Sequence, residues 1–272
     1  MLGALIIVFR EVVEAGIVIG IVLAATRGIA GRGGWVALGI LAGVLGASVV
    51  ALFAGAISNA FAGSGQELLN ATVLITAVVS LTWHNVWMAE HGREIAAQLR
   101  QVGADVSAGR RSLAALAVVV FVAVMREGSE IVLFLYGIVV AGTSTPSLLA
   151  GGLLGLFAGA MLSALSYYGL IAIPTRHIFR VTTVLLALLA AGMAAQAIRF
   201  LQAAGVVTAL HTRVWDTSWL LSESSILGRM LHVLIGYTDK PTALQLIAYV
   251  ATLATMAVLI RLVRTPRPAK PA

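Results

Sequence analysis

Two copies of one charged pattern interrupt long apolar segments of this chain, Arg10-Glu11-Val12-Val13-Glu14 in the first segment and Arg126-Glu127-Gly128-Ser129-Glu130 in the fourth. A charged side chain at the centre of a bilayer costs roughly 2.5–3.5 kcal/mol on insertion scales. Six of them cost on the order of 15–20 kcal/mol, which a membrane protein with a purely structural role would avoid. The duplicated pattern therefore indicates an ion pathway through a membrane.

The composition is that of an integral membrane protein. Of the 272 residues, 60% are hydrophobic and only 11% are charged, whereas soluble domains carry about 25% charged residues. The net charge of +7 does not indicate nucleic acid here, because the basic residues lie in connections between apolar segments, where anionic lipid headgroups are the expected partner. The chain has no cysteine, which excludes disulfides and thiolate metal sites and leaves carboxylate, imidazole, thioether and carbonyl ligands.

Seven apolar stretches are long enough to cross about 30 Å of hydrocarbon as helices. The 28 glycines suit the close packing of membrane helices, where small residues allow two backbones to approach. The sequence thus predicts an all-α integral membrane protein with seven transmembrane helices, near residues 2–25, 35–61, 68–91, 113–141, 147–173, 181–204 and 242–263.

Basic residues predict the orientation of these helices. They occur in the connections 1–2, 3–4 and 5–6 and in the tail, while the connections 2–3 and 4–5 contain no Lys or Arg. The long 6–7 connection holds Arg213, Arg229 and Lys240, but long loops weigh less in the positive-inside rule. By the positive-inside rule the N-terminus lies outside and the C-terminus in the cytoplasm. The residues on which this depends are Arg27, Arg32, Arg93, Arg100, Arg110, Arg111, Arg176, Arg180, Arg261, Arg264, Arg267 and Lys270.

The repeated pattern predicts an internal duplication within a single permease domain, residues 1–272. Repeat one covers about 1–91, repeat two about 113–204, and the helix at about 242–263 is an addition. Three helices per repeat is an odd number, so the second repeat enters the membrane upside down relative to the first. This 3+3 inverted arrangement is typical of secondary transporters, whose substrate site lies at the repeat interface near the centre of the membrane.

Each copy of the pattern places two carboxylates on one helix face. Glu11 and Glu14 are three residues apart, as are Glu127 and Glu130, and all four fall near mid-membrane. If the two helices pack antiparallel, four carboxylates meet, flanked by the guanidinium groups of Arg10 and Arg126. Their formal charge of −2 favours a divalent or trivalent cation, and carboxylates suit hard ions such as Fe³⁺, Mn²⁺, Ca²⁺ or Mg²⁺.

At these residues the chain resembles the oxidase-dependent iron permease family, which includes the fungal high-affinity iron permease and bacterial EfeU-type permeases. Members of that family carry two Arg-Glu-Gly-Leu-Glu-like motifs, in helices one and four of seven. The resemblance extends over nearly the whole chain and includes Gln66-Glu67-Leu68-Leu69, Thr82-Trp83 and Ile235-Gly236-Tyr237. The chain departs from the family at Val13 and Ser129, where Leu is usual, and at Asn70, where relatives often have an acid.

The resemblance implies a permease of the inner (plasma) membrane that imports iron and is not an enzyme. It implies Fe³⁺ as the transported ion, supplied by an extracytoplasmic oxidase or iron-binding partner that oxidises Fe²⁺, with no permanently bound cofactor. Four other interpretations of the charged pattern remain: structural Arg–Glu pairs, a proton relay, a proton-coupled carrier of Mn or Pb, and a membrane enzyme with a carboxylate-bound metal cluster.

Four further residues are candidates for the two mouths of the pathway. Glu67, at the outer mouth of the third helix, is a candidate for collecting cations, although a solvated acid explains it equally well. His84, Met88 and His91 share one face of the inner half of that helix and are candidates for a release site. An interfacial His and a core Met are the commoner explanations for such residues.

Overall fold

The computed structural model describes residues 1–60, 65–169 and 175–264, and these residues form eight helices. The only extended pairing among them is an isolated bridge between Arg213 and Thr242. The helices are α1 (Leu2–Ala25), α2 (Arg32–Ala60), α3 (Gln66–Ser107), α4 (Ala114–Val140), α5 (Thr145–Tyr167), α6 (Thr175–Ala203), α7 (Ile226–Ile235) and α8 (Ala243–Arg264).

The all-helical membrane architecture predicted from the sequence is confirmed in its coarse form. Five of the described helices are long and apolar enough to cross a membrane, and the relevant segments are Arg32–Ala56, Gln66–Met88, Thr145–Tyr167, Arg180–Ala203 and Ala243–Val263. Helices α1 and α4 have 24 and 27 residues, but three charged residues interrupt each. That α1 and α4 also cross, giving seven spans, stays a prediction.

Contacts between helices set their relative directions. The hydroxyl of Ser107 donates to the carbonyl of Ala25, and His84 lies beside Glu14, so α1 and α3 run parallel. Helix α4 begins near the α1–α2 turn, where Leu113 meets Gly31, and therefore runs opposite to α1. We call the end of the molecule that holds this turn and the C-terminus of α3 the basic end, and the opposite end, which holds α7, the α7 end.

Small residues produce two helix pairs with matching contacts. Helix α5 packs along α1, and α2 packs along α4, each through residues spaced four apart. Counted along the sequence, the contact residues of α1 are as many residues from Arg10 as those of α4 are from Arg126. The contacts are Gly39 with Val120, Gly43 with Val124 and Ala47 with Gly128, and, correspondingly, Gly151 with Ala4, Gly155 with Val8 and Gly159 with Val12.

Two apolar clusters lie on either side of the charged patterns. The cluster toward the α7 end joins α1, α3, α4, α6 and α8, and its buried members include Phe134, Ile7, Leu74, Leu81 and Met256. The cluster toward the basic end consists of Val22, Val36, Leu99, Val106, Leu116 and Val120. Helices α1, α3 and α4 contribute to both clusters, so the residues between them are held at a fixed depth.

Two parts of the helix prediction were wrong. The third apolar stretch, predicted near 68–91, agrees with the candidate span Gln66–Met88, but the helix continues to Ser107, so Arg93 and Arg100 lie on a helix and not in a loop. The segment after Met88 contains no proline and is rich in strong helix formers, and its Leu99 and Val106 pack on the basic-end cluster. Gly109, at φ 71°, follows the end of α3, as expected for a left-handed C-terminal residue.

The long connection before the last helix also contains a helix that was not predicted. Helix α7 has 10 residues, too few to cross a membrane, and Ser225 caps it by accepting a hydrogen bond from the amide of Gly228. The predicted ends of the second and fifth helices, at residues 61 and 170–173, and the tail residues Arg267 and Lys270 lie outside the described residues.

Candidate metal centre

The charged residues of α1 face the interior of the helix bundle. Arg10, Glu11 and Glu14 are 3%, 0% and 4% exposed, which means that all three are removed from lipid and from water. The Nε atom of Arg10 lies 2.8 Å from Oε1 of Glu14, one helical turn further on. Because a buried charge is costly unless it is paired, this ion pair accounts for Arg10 and Glu14 but leaves Glu11.

The charged residues of α4 approach from the opposite side and are somewhat less enclosed. Glu127 is 6% exposed, and Arg126 lies 3.3 Å from Glu130 and 4.0 Å from Glu127. The guanidinium of Arg126 also stacks over Trp87 of α3, with 4.4 Å between its carbon and the ring centroid. The two copies of the pattern thus make the same i, i+4 ion pair, and the copy on α4 carries an additional aromatic contact.

His84 of α3 stands between the two acid pairs. Its Nδ1 atom lies 2.6 Å from Oε2 of Glu130, and its Nε2 atom lies 3.3 Å from Oε2 of Glu14 and 3.9 Å from Oε2 of Glu11. The imidazole is 2% exposed. With a carboxylate facing each ring nitrogen, the imidazole links α1 to α4 through α3.

Four of these side chains meet closely enough to share one ion. Glu11, His84, Glu127 and Glu130 each offer a ligand atom, and these atoms all lie within 4.8 Å of one another. The four glutamates and two arginines carry a formal charge of −2 with the imidazole neutral. A carboxylate-rich set with one imidazole suits iron or manganese and does not suit a soft ion such as Cu⁺.

Several buried oxygens of this group have no hydrogen-bond partner. Neither oxygen of Glu11 has a hydrogen-bond partner, and Oε2 of Glu127 has none either. Leaving a buried polar atom unpaired costs about 1–3 kcal/mol, and more when the group is charged. A cation between α1 and α4 would satisfy these oxygens.

The centre is open toward one end of the molecule and closed toward the other. A cavity of about 1130 Å³ extends from it toward the basic end, with Arg10, Glu14, Arg126 and Glu127 in its wall. Toward the α7 end the packed apolar cluster lies directly beyond the acids. A separate cavity of about 630 Å³, lined mostly by apolar residues of α1, α2, α4 and α5, reaches Glu11 and Glu127 from the side.

The structure brings together the six residues predicted from the charged pattern and adds His84 to them, while the other three candidates lie outside the centre. His84 lies in the centre itself and not at a separate release site. Met88 lines the large cavity one turn further on, and His91 stacks on Trp87 with 5.1 Å between ring centroids. Glu67, in the first turn of α3, is exposed at the α7 end and does not belong to the centre.

Sequence reasoning missed two residues of the site, Asn85 and Trp87. Asn85 is 3% exposed and lines the large cavity, and neither atom of its amide has a hydrogen-bond partner. The sequence did contain a signal for Asn85. An amide inside an apolar membrane helix costs free energy and therefore marks an interior or functional position. Trp87 carried no such signal, since an aromatic residue in a membrane helix is ordinarily read as packing or as part of the interfacial belt.

Comparisons with known proteins give one consistent result. The model of the iron permease FTR1 family matches residues 1–265. The protein named ferrous iron permease EfeU from Escherichia coli O6:H1 is 32% identical over 253 residues, which is 90% of this chain and 89% of that protein. The protein of the same name from Yersinia pestis is 30% identical over 251 residues, 90% of this chain and 87% of that protein. No solved structure matches this chain.

Proposed function

The chain belongs to the iron permease FTR1 family, and from this premise we propose that it carries iron ions across the cytoplasmic membrane by way of the centre between α1 and α4. The ligands of the ion are the four carboxylates Glu11, Glu14, Glu127 and Glu130, and His84 joins them. The relatives are named permeases, which supports transport and not catalysis as the activity of this chain.

The observation that carries the proposal is the state of Glu11. This side chain is fully buried and neither of its oxygens accepts a hydrogen bond, while ligand atoms of Glu127, Glu130 and His84 surround it within 4.8 Å. An iron ion at this point removes the cost of the unpaired oxygens, because each lone pair then faces a positive charge. Structural Arg–Glu pairs alone do not account for Glu11, because Arg10 already pairs with Glu14.

Arg10 and Arg126 hold the acids in place in the absence of the ion. Each guanidinium pairs with the second glutamate of its own pattern. When the ion arrives, these glutamates exchange a guanidinium for the metal, so the centre changes partners without exposing an unpaired carboxylate. This exchange lowers the barrier for an ion that must both bind and leave.

The path of the ion follows from the two ends of the centre. With the N-terminus outside, as the positive-inside rule predicts, the large cavity opens to the cytoplasm and the apolar cluster closes the outer side. The matching α1–α5 and α4–α2 contacts support an inverted repeat, in which exchanging the conformations of the two halves opens the opposite side. The described conformation is then the one that releases iron inward.

We further propose Fe³⁺ as the transported species, formed outside by a partner oxidase, because a set dominated by carboxylates favours the harder ion. A second candidate is Fe²⁺. Two observations favour it: the imidazole of His84 within the set, and the names of the relatives, which are ferrous iron permeases. Uptake of Fe²⁺ with and without an external ferroxidase separates the two, since only Fe³⁺ transport depends on oxidation.

The test is radiolabelled iron uptake into proteoliposomes, with and without a pH gradient. Glu11→Ala and Glu127→Ala should abolish uptake, while Glu94→Ala, at an exposed position of α3 outside the cavity, serves as the matched control. Normal uptake by a correctly inserted Glu11→Ala protein would refute the proposal. Competition by Mn²⁺ and Pb²⁺ distinguishes an iron permease from a carrier of other divalent ions.

A further inference from the structure

The large cavity on the basic side of the centre has a polar region of positive character. Three arginines contribute to its wall, Arg10 from α1, Arg126 from α4 and Arg180 from α6. Asn85 of α3 and Thr183 of α6 line the same cavity, and Thr183 lies three residues after Arg180, on the same helix face. Four helices thus direct hydrogen-bond donors toward one space.

Two buried donors in this wall have no protein partner. Asn85 is 3% exposed and neither its amide nitrogen nor its amide oxygen makes a hydrogen bond. Arg10 is equally buried, and its Nη1 atom is without a hydrogen-bond partner. Buried donors without acceptors are rare in native proteins, because each costs about 1–3 kcal/mol. Two of them on one cavity mark a place where an acceptor group can bind.

The charge of the wall favours an anion. Arg180 makes no ion pair with an acid of the described residues, whereas Arg10 and Arg126 face Glu14 and Glu130. The acids that line the cavity, Glu14 and Glu127, belong to the metal centre and lie beside Arg10 and Arg126, so the charge of Arg180 is the one available to an anion. A cation at the centre would engage those acids and leave the guanidinium groups with still more uncompensated charge.

We propose that this cavity binds a small anion bearing carboxylate or phosphate groups, held by Arg180, Arg10 and Arg126 and by the amide nitrogen of Asn85. Guanidinium groups bind such planar or tetrahedral oxyanions through paired hydrogen bonds, and the Thr183 hydroxyl adds a donor. The binding site goes beyond the proposed iron transport. Its consequence for transport rests on that proposed function: the anion supplies oxygen ligands next to the centre and accepts the iron ion as it leaves.

Two sources can supply this chemistry, a soluble anion and the phosphate of a lipid headgroup. The cavity of about 1130 Å³ is larger than a small anion needs, and the part nearer the basic end is apolar, with Ile21, Leu99 and Val118 among its lining residues. This part accommodates the solvent that surrounds a soluble anion, or the rest of a larger molecule whose phosphate lies at Arg180. The two sources bind through the same arginines and are distinguished by experiment.

The test measures anion binding by the purified, iron-free protein in a neutral detergent. Isothermal titration with inorganic phosphate and with citrate should show one saturable site in the wild-type protein. Arg180→Gln should raise the Kd about 10- to 100-fold, as expected for loss of a charge-assisted contact. Asn85→Leu should weaken binding about tenfold and leave the fold intact, because it replaces an unpaired amide with an apolar side chain of similar size.

Arg27→Gln is the matched control, since Arg27 is exposed at the same end of the molecule and does not line the cavity. It should leave the Kd unchanged. In nanodiscs, phosphatidylglycerol that displaces phosphate from the wild type but not from Arg180→Gln identifies the lipid phosphate as the occupant and supports the site. The proposal is overturned if neither anion nor phosphatidylglycerol binds saturably, or if Arg27→Gln changes binding as much as Arg180→Gln. Because no iron is present, these results do not depend on transport.

Discussion

The Nδ1 atom of His84 lies 2.6 Å from a carboxylate oxygen of Glu130, and this contact ties the third helix to the fourth at the depth of the charged patterns. The other ring nitrogen faces Glu14, so one side chain bridges both copies of the duplicated motif. Gln196 of α6 takes the position of His84 in the second repeat. The number of residues between His84 and Gln196 is the same as that between Gly43 and Gly155. Gln196 is also buried, but it lines a small cavity near His232. The centre is therefore asymmetric even though the helices that carry the acids are matched.

Replacing His84 should impair iron binding without unfolding the protein. In His84→Gln an amide takes the place of an imidazole, so the metal loses one ligand and α3 loses its contact with both acid pairs. We expect iron uptake to fall at least tenfold and the affinity of the purified protein for iron to fall 10- to 100-fold, the range typical of groups that support a metal site.

His91→Gln is the control for this prediction, because His91 lies two turns further along the same helix and its side chain is 35% exposed. It should transport iron at the wild-type rate. Wild-type affinity in His84→Gln would show that the imidazole does not contact the metal.

Arg10 and Arg126 should differ in their importance for stability. Arg10 is 3% exposed, and its loss leaves the buried carboxylate of Glu14 without a guanidinium, which costs about 3–5 kcal/mol for a buried pair. The side chain of Arg126 is 35% exposed, so water reaches the group and its removal is compensated in part. The unfolding temperature in detergent should therefore fall further for Arg10→Gln than for Arg126→Gln.

The double variant Arg10→Gln/Glu14→Gln gives the control, since it removes both charges of the pair. It should recover much of the stability lost in Arg10→Gln but none of the transport, because Glu14 belongs to the centre. Additive losses in the double variant would mean that the two side chains do not interact in solution.

The sequence predicted the acids of the centre because their cost in a membrane and their duplication are visible without coordinates. It also predicted that α1 and α4 run in opposite directions, since an odd number of helices per repeat reverses the second copy. It did not predict the place of His84, because the rotation of α3 about its axis depends on how Leu74, Leu81 and Leu99 pack on neighbouring helices. Nor did it predict α7, since 10 residues between polar turns give too short a periodic pattern to stand out.

Packing of α5 on α1 should tolerate no side chain at Gly155. A Cβ there would lie 2.6 Å from the carbonyl oxygen of Leu5 and 2.9 Å from the amide of Phe9, both backbone atoms that cannot move independently. Gly155→Ala should therefore separate the two helices and lower the unfolding temperature in detergent, with an overpacking cost of about 1–3 kcal/mol.

Gly152→Ala is the matched control on the same helix, because a Cβ at Gly152 meets nothing within 4 Å. Replacing glycine with alanine in a helix should leave its stability equal or slightly higher. Gly43→Ala tests the corresponding contact of α2 with α4, where a Cβ would lie 2.7 Å from Val124. If Gly155→Ala were as stable as Gly152→Ala, the close approach of α1 and α5 would be wrong.

The orientation of the chain can be measured with single cysteines, because the natural sequence has none to give background labelling. Ala108 follows the end of α3, Ser144 lies between α4 and α5, and Thr208 follows α6, and all three are exposed. With seven spans and the N-terminus outside, Ser144→Cys and Thr208→Cys should react with a membrane-impermeant maleimide in spheroplasts. Ala108→Cys should react only after permeabilisation. Because α4 alone separates Ala108 from Ser144, equal labelling at these two positions would mean that α4 does not cross the membrane, and a reversed pattern would place the large cavity outside the cell.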